Sequence, residues 1–427
     1  MEEDFLLDSY DYDLPEEMIA QVPAQPAESA KLLVFSRSDS SIQDYHFYDL
    51  PNLLSSNDVL VCNNTKVFKA RIPLHQTKII RKSWQSRLVD GEIFVYQLLY
   101  DGRLECLVSD DKNFKPWAEV FLDDEKWISL TSDEYAEDWI IFSVKWIWIF
   151  DFLEMYGQMP LPPYIHYEKE KEKRYQTTFA QDLGSAAAPT ASLHFSKKLL
   201  SDLYSKWVEI NFTTLHVGLG TFKPVYEYDI RKHKIHREPI IIENSLFQQI
   251  YERKNGNKNL IAVWTTMVRL LETLPYLRAS LSSSEKESIL PSVEAFHFRE
   301  SITSGIHPAD YEKYVHEITL QQDRIVCETQ LFIFSGWKFR IIDEMITNFH
   351  LPKSSLLMLI SALMWRKNVC SLMNMQSIID INFIVLEIEC GLEDNTKIII
   401  EKVHNMLIIL SVSFLSVNVS VWNQNIR

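Results

Sequence analysis

What constrains this chain most is a change of hydrophobic period partway along it. Between about residues 67 and 150 the apolar residues come in short β-rich runs, at 92–99, 103–108, 118–122, 126–130 and 139–144, parted by Asp-Gly or charged turns. Runs of that length and spacing predict a small antiparallel barrel or sandwich. Strand patterns at 31–35 and 58–62 precede this region. After it, strands at 208–215 and 260–263 alternate with helical patterns at 196–205, 242–253 and 266–274. Alternation of this kind predicts an α/β fold with at least partly parallel strands. The expected architecture is an α/β domain, residues 1–66 and 151–390, carrying an inserted small antiparallel β-barrel domain at 67–150 and an atypical tail at 391–427. A helix start is expected at Asp13, where an acidic cap precedes Pro15, and a polar surface excursion at 279–327.

Composition narrows the function class. Of 427 residues, 46% are hydrophobic, enough to bury a sizeable core, and the charged fraction of 24% excludes a wholly disordered chain. The net charge of −15 argues against a protein that coats nucleic acid non-specifically. A polyanion partner would have to meet local basic patches, such as 78–87 and 231–237. Five cysteines, at 62, 106, 327, 370 and 390, form no C-x-x-C pair and are odd in number, which fits a reducing, cytoplasmic setting. The acidic start, MEEDFLLD, lacks the basic region of an export signal. Met406 to Trp422 is mostly apolar, but serines and asparagines interrupt it and it falls short of the roughly 20 apolar residues of a spanning helix, so no membrane role is expected.

Four segments join small residues, polar groups and histidines at strand-to-helix junctions, where α/β proteins place ligands. GSAAAPTASLHF (184–195) allows close backbone approach and offers Thr190, Ser192 and His194; a tight, well-packed turn explains it equally. LHVGLGTF (215–222) ends a strand with His216, Gly218, Gly220 and Thr221, but lacks the remainder of a dinucleotide fingerprint and the Lys-Ser/Thr of a P-loop. RKHKIHRE (231–238) contains His233, His236 and Arg237. Its cations would repel a metal and no third ligand stands at recognised spacing, so phosphate is the better ligand and a solvated surface the alternative. ITNFHLPKSS (346–355) places Asn348 and His350 before an apolar helix that Ser354 or Ser355 can cap. Asp343 and Arg269, the latter following Thr265 and Thr266, are further candidates.

In this order the four segments resemble the S-adenosylmethionine:tRNA ribosyltransferase-isomerase family of queuosine biosynthesis. TTMVR (265–269), NNTKVFKAR (63–71), PLPPYI (160–165) and RYQT (174–177) belong to the same resemblance, which runs from Tyr12 to about Ser361. It implies the same fold, an α/β domain with a β-barrel insertion. It also implies a reaction, in which the ribosyl part of S-adenosylmethionine passes to 7-aminomethyl-7-deazaguanine at the wobble position of tRNA and isomerises, giving epoxyqueuosine-tRNA, adenine and methionine. S-adenosylmethionine is then a co-substrate, no metal or redox cofactor is required, tRNA is the partner, and a cytoplasmic monomer is expected. Carried over motif by motif, His194 and His350 are the acid/base candidates. Gly218, Gly220 and Thr221, with His216 in the same motif, would approach the nucleoside. Thr190, Thr265, Thr266 and Arg269, with Asn348 in the last motif, would line the pocket; His233, His236 and Arg237 would meet phosphate or ribose.

The chain departs from the family pattern at Trp264 and Met267, where smaller residues are usual, at Ser335-Gly336-Trp337, and at its end, 382–427. A paralogue that binds tRNA or nucleoside without turnover, and a different base-modifying transferase on the same scaffold, are the competing readings.

Overall fold

The computed structural model describes residues 2–281, 313–376, 384–387 and 408–409, apart from short stretches at 16–17, 82, 100, 116, 124–127, 136–138, 163, 219–223 and 256–257. The chain opens with β1 (Lys31–Phe35), β2 (Ile42–His46), the one-turn α1 (Leu50–Leu53), β3 (Asp58–Asn63) and the short β4 (Thr65–Val67). Every residue of β3 is buried, as its DVLVCN sequence and a central position require.

Six strands then close into a barrel: β5 (Arg71–Ile80), β6 (Ser86–Leu98), β7 (Leu104–Val108), β8 (Glu119–Asp123), β9 (Ile128–Tyr135) and β10 (Ile140–Lys145), in the spatial order β10-β7-β6-β5-β8-β9. All its pairings are antiparallel. The alternation read from the sequence becomes an interior of Ile72, Leu74, Ile93, Val95, Leu104, Val120, Leu130 and Phe142. Closure removes the edges that open strands of this composition would expose.

The chain returns through α2 (Ile149–Tyr156), the short α3 (Lys169–Glu172), β11 (Asp182–Ser185), α4 (Lys197–Ser205), β12 (Glu209–Leu215), β13 (Glu238–Glu243), α5 (Asn244–Asn255), β14 (Asn259–Val263) and α6 (Thr265–Ser280). It ends with β15 (Val315–Leu320), β16 (Arg324–Thr329), β17 (Glu344–Thr347), α7 (Ser355–Met364), α8 (Arg366–Gln376), β18 (Ile384–Glu387) and β19 (Ile408–Ile409). These build a mixed sheet in the order β15-β16-β13-β12-β3-β14-β17-β18-β1-β19, with β2 on β1. The central four, β12, β3, β14 and β17, run parallel, so their carboxyl ends share one edge. Helix α6 is buried from Thr265 to Leu277. A helix so enclosed must satisfy its polar side chains internally: the Glu272 carboxylate accepts from the backbone N–H groups of Arg340, Ile341 and Ile342 at 2.9, 2.9 and 3.1 Å.

The fold class expected from the sequence is the one observed. Two local expectations are corrected. No helix starts at Asp13 among the described residues: 11–15 form no regular element and Tyr12 donates a side-chain hydrogen bond to the His350 carbonyl, while 16–17 lie outside the described residues. The interval 279–327 does not end as a surface excursion either, since Arg324–Thr329 pairs with β13 and buries Ile325 and Cys327. Its middle, 282–312, and the tail beyond 387, with Glu389 and most of 406–422, lie outside the described residues. Among the described residues no single helix is long and apolar enough to cross a membrane. Cys62, Cys106, Cys327 and Cys370 are free thiols.

Candidate active site

The carboxyl edge of the parallel strands carries most of the segments singled out above. His216 follows β12, Asn64 and Thr65 follow β3, Trp264 and Thr265 follow β14, and Asn348 to His350 follow β17. Open α/β sheets leave their ligand crevice at this edge. A cavity of about 290 Å³ lies there, and Thr190, His194, Asn348 and His350 all line it.

Thr190 to His194 form a short 3-10 helix, made possible by the small residues Ala186, Ala187 and Ala188 packed without exposure just before it. The Thr190 hydroxyl donates to Oδ1 of Asn348. His194 Nδ1 lies 2.9 Å from the Ala27 carbonyl, an acceptor only, so that nitrogen carries the proton and Nε2 is left as acceptor in the neutral ring. His350 Nε2 lies 3.2 Å from the Thr347 hydroxyl. Burial pushes both imidazoles down to about 3, for His194 with help from the nearby Arg174 cation and against the hydrogen bond to Ala27. Both rings are therefore neutral at physiological pH.

The opposite wall comes from residues to which the sequence reading gave no role. Tyr12, Leu14 and Ile19 to Pro23 run across the cavity, facing Pro162, Tyr164, Arg174 and Tyr175. Gln21 clips the two segments together, donating to the Tyr164 carbonyl at 2.9 Å and accepting from the His166 N–H at 2.9 Å. Lys353 fastens the N-terminal segment from below, with Asp8 and Asp11 at 3.1 and 2.9 Å. The signal for this wall was present in the motifs at Tyr12, 160–165 and 174–177, but those motifs have no periodicity or histidine to attract a functional reading.

The remaining candidates stand elsewhere. His216 sits 2.9 Å from the Thr65 hydroxyl and is pushed down to about 4 by burial, which Asp182 partly opposes. A Cβ on Gly184 would come within 2.7 Å of that ring, which is why β11 needs glycine there. Gly218 receives Tyr96 of the barrel at 3.0 Å from its Cβ position, so it is a seam between the two parts of the fold. Gly220 and Thr221 lie outside the described residues. Thr266 is buried within 3.5 Å of Asn63, and Thr265 buries a hydroxyl that has no hydrogen-bond partner among the described residues. Arg269 does not line the cavity. It is enclosed in α6, ion-paired with the buried Glu238 and donating to the Leu331 carbonyl at 3.1 Å. His236 and His233 approach Glu238 and Glu227 at 3.1 and 2.8 Å, and Arg237 meets Glu328 at 3.6 Å. Asp343 accepts from the Leu260 N–H at 2.8 Å. Among the described residues no cluster of three or more His, Cys, Asp or Glu is arranged to hold a metal ion.

Comparison with known proteins decides the family. The model of the queuosine biosynthesis protein family matches residues 7–377. This chain belongs to that family. The S-adenosylmethionine:tRNA ribosyltransferase-isomerase of Sulfurihydrogenibium sp. (strain YO3AOP1) is 37% identical over 358 residues, 83% of this chain and 90% of its own. The protein of the same name from Symbiobacterium thermophilum is 36% identical over 362 residues, 84% and 91% of the two chains. A crystal structure of S-adenosylmethionine tRNA ribosyltransferase from Thermotoga maritima covers 87% of this chain and 95% of its own at 22% identity, with a TM-score of 0.41. The family match ends at 377, so the queuosine-family region contains every candidate of the cavity and stops before the tail.

Proposed function

We propose that this member of the queuosine biosynthesis family transfers the ribosyl moiety of S-adenosylmethionine to the 7-aminomethyl-7-deazaguanine of a tRNA wobble position and isomerises it, leaving epoxyqueuosine-tRNA, adenine and methionine. The observation that carries the site assignment is that one cavity at the carboxyl edge of the parallel strands gathers Thr190, His194, Asn348 and His350 from two distant segments.

The cavity suits a sulfonium substrate. Its walls are largely apolar and aromatic, with Tyr12, Tyr164, Tyr175 and Phe349 among them to face a positive sulfur, and its two imidazoles are neutral and add no charge of their own. Arg174, which lines the same wall and donates to the Ala24 carbonyl at 2.9 Å, supplies a cation for the methionyl carboxylate. The sulfonium acidifies the adjacent ribose C5′ hydrogens, and His194 Nε2, its tautomer set by Ala27, is the group placed to accept one. Loss of that proton breaks the C4′–O4′ bond, and the C1′ carbonyl so formed expels adenine, which leaves protonated. The aminomethyl nitrogen of the tRNA base adds to C4′ of the resulting vinyl sulfonium and gives up a proton, C5′ then bonds to C1′, and the C1′ oxygen displaces methionine from C5′ to close the epoxide. Thr190 and Asn348, bonded to each other, hold ribose hydroxyls in register with the base. His350 is the second acid/base candidate, for supplying the proton that the departing adenine takes up. S-adenosylmethionine acts as co-substrate, and sulfonium activation of this kind calls on no metal or redox cofactor.

The direct test incubates the protein with S-adenosylmethionine and tRNA bearing the aminomethyl base. Mass spectrometry should find epoxyqueuosine in the tRNA and free adenine in solution, with neither formed when one substrate is omitted. His194→Ala and His350→Ala should each lower turnover by about 10²- to 10⁴-fold at saturating substrate. Near-normal turnover in both variants would remove the acid/base assignment, and absence of both products from the unaltered enzyme would remove the reaction.

A further inference from the structure

Glycine is scarce here, at 10 of 427 residues, against roughly 30 at the average usage of about 7%. The backbone nonetheless makes the turns that ask for it. Ten non-glycine residues among those described have positive φ, and six of them are tryptophan: Trp84 (63°), Trp117 (70°), Trp146 (72°), Trp207 (62°), Trp264 (83°) and Trp365 (61°). Tryptophan makes up only 11 residues of the 427. Positive φ is a genuine outlier for a bulky side chain, and none of the ten is Asn, Asp or His, the residues that tolerate it best after glycine.

The local geometry is that of glycine sites. Trp207 is the C′ residue of α4: its N–H bonds to the Tyr204 carbonyl at 3.0 Å and that of Val208 to the Leu203 carbonyl at 3.2 Å. These are the paired bonds of a Schellman motif, whose C′ position is usually glycine because it needs a left-handed backbone. Trp84 ends the β5–β6 hairpin loop, where its N–H bonds to the Arg81 carbonyl at 2.7 Å and Arg81 pairs with Gln85. In three-residue hairpin loops the left-handed residue is ordinarily glycine. Trp264 has ψ 151°, a region of backbone space that is almost exclusively glycine's, and it joins β14 to α6. Three of the indoles gain little in return: Trp84, Trp146 and Trp207 are 88%, 81% and 82% exposed. Trp365 meets one cation, Arg37 at 4.5 Å from its ring.

One codon relates the two amino acids. UGA is a stop in the standard code, tryptophan in some reassigned codes and glycine in others. We propose that these six positions are encoded by UGA and that the cell owning this gene reads UGA as glycine, so that the working enzyme carries glycine at 84, 117, 146, 207, 264 and 365. At 264 the consequence reaches the site: Trp264 lines the cavity, and glycine there enlarges it where it meets the start of α6. That last step rests on the proposed reaction site; the assignment of glycine does not.

The test has three readouts. Peptide masses of the enzyme purified from its native cell should show glycine at all six positions, and the gene should carry UGA there. Tryptophan in the peptides spanning 207 and 264, or UGG at those codons, would overturn the inference. Recombinant protein with all six Trp→Gly replacements should melt higher than the tryptophan form, by on the order of 10 °C. An unchanged or lower midpoint would also overturn it. Trp264→Gly alone should raise turnover at least tenfold if the cavity is the active site. Glycine peptides and a raised midpoint without that gain would uphold the decoding and count against the site.

Discussion

The Thr190 hydroxyl donates to the side-chain oxygen of Asn348 across 158 residues of sequence. The bond joins the turn that follows β11 to the loop that follows β17, and both residues line the cavity. A side chain that served only packing would tolerate an isostere. Thr190→Val, which keeps the shape and deletes the hydroxyl, is expected to raise KM for S-adenosylmethionine about tenfold while the thermal midpoint drops by no more than about 2–4 °C, the effect of one modest hydrogen bond. Equal KM values in wild type and variant, by steady-state assay of adenine release, would exclude this pair from substrate contact.

Three buried histidines make the stability of the enzyme pH-dependent. Burial holds His194 and His350 at about 3 and His216 at about 4, all below the ordinary 6.5. The unfolded chain therefore binds more protons than the folded one below about pH 6.5, so stability is complete above that value and is lost as pH falls toward the folded values. Each histidine should cost roughly 1 kcal/mol between about pH 6.5 and 5.5. Glu272, whose carboxyl burial raises, works in the opposite sense above the ordinary carboxylate value. Urea midpoints for wild type and His194→Gln at both pH values isolate one histidine: the pH-induced loss should shrink by about a third in the variant. An unchanged loss would show that His194 titrates normally.

The legibility of the sequence varied with the range of the interaction involved. The barrel was legible because alternation along each strand is a local property, and Val120, Leu130 and Ile140 turn inward as their spacing dictates. The strands at 315–320 and 324–329 were missed because the polar run before them dominates the local composition, whereas what makes them strands is a non-local pairing with β13. The site divided in the same way. Histidines and small-residue turns marked Thr190, His194, Asn348 and His350, but no spacing rule could reveal that Tyr12 and Gln21 cross the chain to face Tyr164. Arg269 illustrates the opposite error: its position after a Thr-Thr pair suggested a pocket, while the partner that claims it, Glu238, lies 31 residues upstream.

Arg269 and Glu238 should accordingly behave as a structural pair. Both are essentially unexposed, so removing one leaves an uncompensated buried charge, which costs about 3–5 kcal/mol. Arg269→Met is expected to lower the denaturation midpoint sharply, and Arg269→Met combined with Glu238→Leu to recover most of the loss. The double variant separates the roles: recovered stability together with recovered product formation fits a structural pair, whereas recovered stability with lost activity would return Arg269 to the substrate.

Binding of tRNA to a chain of net charge −15 must rely on local cations, and the segment 231–237 was read as one source. Its arginines and histidines are already committed: Arg231 to Asp229 at 2.7 Å, Arg237 to Glu328 at 3.6 Å, His233 to Glu227 at 2.8 Å and His236 to Glu238 at 3.1 Å. Lys232 and Lys234 are exposed and enter none of these pairs. A cation held by its own carboxylate releases few counterions when a phosphate approaches, whereas an exposed lysine releases nearly one. The affinity for tRNA should fall steeply with salt, and Lys232→Ala and Lys234→Ala should each flatten the slope of log K against log salt by about 0.7–0.9, with Arg231→Ala flattening it less. Filter-binding titrations across a salt series decide the matter, because lysine variants with wild-type slopes would place the tRNA on another face.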